Sequence, residues 1–76
     1  MNASEVIQRL HDSEINGSVS WLFDGPWRWR IGGDVDWRFE GRADNFESAL
    51  HALAEKANAA YPQSTFAKWW AQVRNA

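Results

Sequence analysis

Residues 27–31 read Trp-Arg-Trp-Arg-Ile, a strict alternation of large apolar and charged side chains. Period two is the period of a β-strand, whose successive side chains point to opposite faces. A strand sorts this run into Trp27, Trp29 and Ile31 on one side and Arg28 and Arg30 on the other. One side must then be buried while the other stays in water, which is the habit of an antiparallel sheet. The flanking residues supply the turns. Asp24-Gly25-Pro26 comes before the run, and Pro26 lacks the N–H that a central strand position needs. Gly32-Gly33-Asp34 comes after it and reads as a second hairpin loop.

Two further strands follow from the same pattern. The first covers about Ser18 to Phe23, with Val19, Trp21 and Phe23 alternating against Ser18, Ser20 and Leu22. The third covers about Val35 to Arg42, with Val35, Trp37 and Phe39 on one face and Asp36, Arg38, Glu40 and Arg42 on the other. Short loops between them predict a meander whose apolar face carries nine large side chains. Trp21, Trp29 and Trp37, each on that face within a strand, are expected to lie buried under helices.

Helical periodicity takes over outside residues 18–42. A first helix is predicted over Ala3–Asp12, with Asn2 and Glu5 at capping-box spacing and Val6, Ile7 and Leu10 as its stripe. Asn16-Gly17 reads as the turn that closes the connection to the first strand. A second helix starts at Asp44 or Asn45, where Asp44 and Glu47 repeat the capping spacing. It carries Phe46, Leu50, Leu53, Ala57 and Tyr61 and ends before Pro62. A third runs from about Ser64 to Arg74, with Phe66, Trp69, Trp70 and Val73 at i, i+3, i+4 and i+7. The expected fold is therefore α+β: a two-layer sandwich of order α-β-β-β-α-α, with helices covering one face of the meander. The 76 residues leave room for a single domain spanning 1–76.

Composition narrows the function classes. There is no cysteine, so disulfides and zinc knuckles are excluded, and a reducing, cytoplasmic setting is expected. No run approaches the ~20 apolar residues of a membrane span, so no membrane partner is expected. The formal charge of −2 weighs against a free-standing nucleic-acid binder, and no bare nucleic acid is expected to bind at physiological salt. Six tryptophans in so short a chain either fill a small core or mark an interface.

No residue set reads as catalytic. His11 and His51 lie on helices, and no serine sits in a nucleophile elbow. His51 and Glu55, four apart on one helix, make an ordinary surface pair and too small a ligand set for a metal. Gly32-Gly33 lacks the strand–loop–helix context of a phosphate loop. No enzyme activity, cofactor or metal is expected.

The residues that remain point to recognition. Arg28, Arg30, Arg38 and Arg42 are half of the eight basic residues and share the open sheet face. A guanidinium there can grip carboxylate or phosphate with two parallel bonds. Alternatively, Asp36 and Glu40 neutralise them across the strands. Asp12, Glu14 and Asp34 fall on loops at one end of the meander. They offer an acidic patch for a basic partner, or serve solubility alone.

The helix–three strands–helix order is similar to that of double-stranded-RNA-binding domains. Their last helix begins with basic residues, whereas here it begins Asp44-Asn45-Phe46-Glu47 and would repel phosphate. The run Trp21-Leu22-Phe23-Asp24-Gly25-Pro26-Trp27-Arg28-Trp29 resembles the first hairpin of small phage-encoded α/β sandwich proteins. The Asn45-Phe46-Glu47-Ser48-Ala49-Leu50 helix start and the Tyr61-Pro62 break resemble theirs as well. Some such accessory proteins are anti-CRISPRs, which block a host defence complex stoichiometrically. The resemblance implies a non-enzymatic inhibitor acting in the host cytoplasm on a host protein or ribonucleoprotein complex, as a monomer or weak homodimer. A nucleic-acid-binding or regulatory module using the arginine face is the alternative.

Overall fold

The computed structural model describes residues 2–21, 23, 25–32 and 36–74. The elements are α1 (Ala3–Asp12), β1 (Asn16–Trp21), β2 (Trp27–Gly32), β3 (Trp37–Ala43), α2 (Phe46–Ala60) and α3 (Thr65–Arg74). Expectations that fall on Leu22, Asp24, Gly33, Asp34 and Val35 lie outside the described residues. The strands form one antiparallel sheet in the order β1-β2-β3, so the α+β architecture expected from the pattern is present. The α2 helix crosses β2 and β3, α1 lies beside β1, and α3 packs on both other helices.

Local chemistry sets the helix ends. The Asn2 side chain caps α1 by accepting from the Glu5 N–H at 3.1 Å. The α2 cap is Asn45, which accepts from the Ser48 N–H at 2.8 Å, so the Asp44–Glu47 pairing does not form the cap. Ser64 caps α3, accepting from the Ala67 N–H at 3.1 Å while its hydroxyl donates to the Tyr61 carbonyl. Ser13, at the end of α1, accepts from the Phe66 N–H at 2.9 Å and so ties α1 to the first turn of α3.

The turn after α1 is built differently from the Asn16-Gly17 expectation. The N–H groups of Glu14 and Ile15 donate to the carbonyls of His11 and Leu10, with Glu14 left-handed at φ 60°. This is the Schellman arrangement, closed by contact between apolar residues at either side of the turn. Asn16 and Gly17 are already part of β1, paired with Gly32 and Ile31.

The core lies between sheet and helices. Val6 and Leu10 of α1, Trp29 and Ile31 of β2, Ala49, Leu50, Leu53, Ala54 and Ala57 of α2, and Phe66 and Trp70 of α3 are all buried. Each large aliphatic side chain there contributes roughly 1.5–3 kcal/mol. Of the adjacent tryptophans on α3, Trp70 is buried, whereas Trp69 is partly exposed and stacks under the Arg9 guanidinium. Val73, expected on the apolar stripe, is exposed.

Three aromatic side chains leave the expected core. Trp29 alone of the strand tryptophans is buried at 9 % exposure; Trp21 is 64 % and Trp37 44 % exposed, and Phe23 is 94 % exposed. Trp21 and Phe23 lie at the hairpin end of β1, on the outer strand, whereas Trp27, paired with Trp21, meets Phe46 of α2. Trp37 is displaced by the register. Ile31 pairs with Phe39 but Gly32 pairs with Trp37, so β3 takes two steps where β2 takes one. Such a bulge reverses the side-chain alternation locally. It depends on Gly32, where a Cβ would collide with the Asp36 carbonyl and lie 2.9 Å from the Trp37 Cα. Trp29 stays inside for a complementary reason. It pairs with Gly41, and its indole fills the space a Cβ would occupy there, within 2.6 Å of that position.

A polar clasp joins α2 to α3. Glu55 accepts from the Trp70 indole N–H at 2.8 Å and from Arg74 Nη1 at 3.0 and 3.1 Å. The indole bond, helped by the Arg74 guanidinium, lowers the Glu55 carboxyl below its ordinary value despite partial desolvation.

These contacts set two expectations. Trp29→Ala should destabilise the fold by about 3–5 kcal/mol, and Gly41→Ala by about 1–3 kcal/mol through the displaced indole. Trp21→Ala and Trp37→Ala should each cost about 1 kcal/mol or less, being largely exposed. Thermal melts of the four variants in dilute solution rank them; equal losses for all three tryptophans would contradict the assignment. The second concerns acid. Since folding lowers the Glu55 pKa, its contribution is complete above the ordinary glutamate range and is lost as pH falls through the folded value. Glu55→Gln should therefore be less stable than the parent at neutral pH, with the difference shrinking in acid. Urea melts across that range report it, and a constant difference at every pH would exclude the linkage.

Candidate functional site

The sheet face opposite the helices is built by the charged half of the alternation. Ser18 and Ser20 of β1 pair with Arg30 and Arg28 of β2, which pair in turn with Glu40 and Arg42 of β3. Two like charges, Arg28 and Arg42, thus stand directly opposite each other, an arrangement that costs stability in a sheet. Arg30 and Glu40 stand opposite with the favourable sign. Yet among the described residues no carboxylate lies within 4.0 Å of any nitrogen of Arg28, Arg30, Arg38 or Arg42; the ion pairs formed belong to Arg9, His11, His51 and Arg74. The alternative in which Asp36 and Glu40 neutralise the face by direct pairing is therefore not what the side chains do.

Burial sharpens this picture. Arg28 and Arg30 are half-buried, and their Nε atoms are covered with no hydrogen-bond partner among the described residues. The guanidinium of Arg30 lies 4.6 Å from the centre of the Trp37 ring, in cation–π contact. Shallow depressions flank these groups, one bounded by Arg28, Glu40, Gly41 and Arg42, the other by Arg30, Trp37, Arg38 and Glu40. A surface of this kind can take carboxylates or phosphates in bidentate fashion and a flat apolar group against Trp37.

Sequence pattern placed Arg28, Arg30, Arg38 and Arg42 on this face but put Trp37 in the core. The signal for Trp37 was Gly32 at a strand end beside a second glycine, a common mark of a bulge. Arg38 is the extra residue of the bulge and is exposed.

The acidic candidates lie apart from the arginines. Asp12 and Glu14 are exposed at the carboxyl end of α1, in the helix layer. Asp12 accepts from Gln8 Nε2 at 3.0 Å and lies 3.7 Å from His11 Nδ1. Glu14 occupies the left-handed turn position described above. Asp34, expected at the same end, is outside the described residues. The His51–Glu55 pair is 4.0 Å apart, with Glu55 already committed to Trp70 and Arg74. Among the described residues no three histidines or carboxylates converge in a way that could hold a metal, and no helix is long and apolar enough to cross a membrane. No protein-family model, curated protein or solved structure matches the chain.

Proposed function

We propose that the protein acts by binding, without catalysis, and that its arginine face engages an acidic surface of a host protein or ribonucleoprotein complex in the cytoplasm. The observation that carries this reading is the Arg28–Arg42 pair, like charges paired across the strands with no ion pair to either among the described residues. A chain has little to gain in stability from that placement, and a partner's carboxylates or phosphates would offset it. Arginine and tryptophan are also the residues that most often anchor interfaces. The resemblance to small phage accessory proteins gives the biological form of the reading: a stoichiometric inhibitor of a host defence complex, anti-CRISPR-like.

A second reading draws support from Trp37. An exposed indole beside guanidinium groups on an open antiparallel sheet suits stacking of single-stranded bases. The net charge of −2 and the acidic start of α2 oppose it. Salt separates the two, because binding through several phosphate contacts weakens steeply as salt rises.

The test uses a conflict between stability and function. Arg28→Glu replaces a repulsive cross-strand pair with an attractive one, so the variant should fold as well as the parent or better, by roughly 0.2–1 kcal/mol. The same change should weaken the partner complex by about 2 kcal/mol or more if Arg28 is an anchor. Plaque formation by a targeted phage is measured in bacteria carrying active CRISPR systems, with parent, Arg28→Glu and Arg42→Glu proteins. Protection by the parent and loss with either folded variant is the expected result. Absence of protection across several CRISPR types removes the defence-inhibitor reading. Sub-micromolar, salt-sensitive binding of labelled oligonucleotides by the parent would install the nucleic-acid reading in its place.

A further inference from the structure

The two edges of the sheet are not alike. β3 carries Arg38, Glu40, Arg42 and the bulge, features that discourage another strand from adding to it. β1 reads Asn-Gly-Ser-Val-Ser-Trp, with no charge, no proline and no bulge against β2. It is an edge strand, and among the described residues no backbone bond outside the sheet involves Gly17 to Trp21. Beside it, between α1 and the start of β1, runs a groove of mixed character, lined by Ile7, Leu10, Ile15 and Gly17 together with the polar His11, Glu14 and Asn16. Ile7 is exposed there although it is a large aliphatic residue.

We infer that β1 is a self-pairing edge, and that two copies of the chain join antiparallel through it about a two-fold axis at Val19. The register follows from the residues. Centred on Val19, Ser18 opposes Ser20 of the second copy and Gly17 opposes its Trp21. Trp21, 64 % exposed, is thereby set beside the groove of the second copy, and the reverse holds by symmetry. On the helix side Gly17 is already covered within its own chain by the Leu10 and Leu53 side chains, so the indole of the second copy lies beside that cover rather than over the glycine. On the other face the serine pairs meet without opposed charges, which self-pairing of β3 could not achieve. A second copy is favoured over a foreign strand because the knob and the groove belong to the same surface, as a two-fold interface requires.

Sedimentation equilibrium across micromolar to millimolar concentration tests the pairing. The parent chain should show a reversible monomer–dimer equilibrium. Trp21→Ala should weaken it by about tenfold or more, as loss of an aromatic anchor does. The double variant Ser18→Lys with Ser20→Lys should be monomeric, because lysines then oppose lysines across the axis. Circular dichroism confirms that each variant keeps its fold. The chain has no cysteine of its own, so register is read by oxidising an equimolar mixture of Ser18→Cys and isotope-labelled Ser20→Cys chains. Directly opposed strand positions are close enough for a disulfide and diagonal ones are not, so the mixed disulfide should predominate. A parent that stays monomeric throughout, or a dimer indifferent to both the alanine and the lysine changes, overturns the inference. Disulfides formed equally within each variant overturn the register.

Discussion

The fit of the Trp29 indole over Gly41 is the contact on which the rest of the molecule depends. Trp29 is the middle residue of the central strand, and its ring occupies the volume a side chain at Gly41 would need. That single fit fixes the β2–β3 register, because shifting one strand by a residue would drive the indole into a side chain or turn it to solvent. The indole belongs to one buried cluster with Ala49, Leu50, Leu53, Ala54 and Ala57 of α2. Phe66 and Trp70 of α3 then close the layer, and Trp70 passes its one polar atom out to Glu55. A chain of this size buries only about 60 % of its unfolded surface, so large aromatic residues that fit tightly make up for the core it lacks.

Once the register is fixed, the bulge at Gly32 decides what each face presents. Beyond it, Trp37 moves from the helix side to the arginine side and stacks on Arg30. The arginine face thus gains an aromatic group, and the core loses one it was expected to hold. Phe39, still on the helix side, is covered in part by the Lys56 ammonium at 4.5 Å from its ring. The same strand therefore serves core and surface with residues two apart, which an unbroken strand cannot do with both of them large and apolar.

The contrast between what was legible and what was not follows physical range. The α1 boundaries, the β2 alternation and the order of elements depend on neighbours along the chain, and the pattern of side chains declares them. Trp29, Ile31, Leu50, Leu53 and Phe66 were placed in the core because periodicity alone puts them there. Trp21 and Phe23 obey the same periodicity yet lie exposed at the end of an edge strand, while Trp27, paired with Trp21, meets Phe46 of α2. Helix coverage is a tertiary quantity that alternation does not encode. The start of α2 was left open between Asp44 and Asn45 because both suit the cap, and the choice of Asn45 rests on the backbone leaving β3. On the candidate site, strand parity put Arg28, Arg30, Arg38 and Arg42 together, but the bulge at Arg38 and the reach of the carboxylates are tertiary details that no spacing reports.

The features that departed from expectation bear on one another. In-plane pairing of two β1 strands about a two-fold axis normal to the sheet keeps both helix layers on one side and both arginine faces on the other. The strand order becomes β3-β2-β1-β1-β2-β3, and the arginine surface becomes continuous across the serines of the two β1 strands. Arg28 and Arg30 of each copy then flank a neutral strip of Ser18 and Ser20, with Trp37 toward either margin. A partner with repeated acidic groups would meet two such surfaces at a fixed separation. The second contact would then form within the complex, at an effective concentration set by the sheet itself, and avidity would exceed what one weakly contacting face supplies. Exposed Trp21, costly in a solitary monomer, and the opposed Arg28 and Arg42, costly in an isolated sheet, are thus consistent with a single arrangement in which β1 joins the copies and the arginines of β2 and β3 receive the partner.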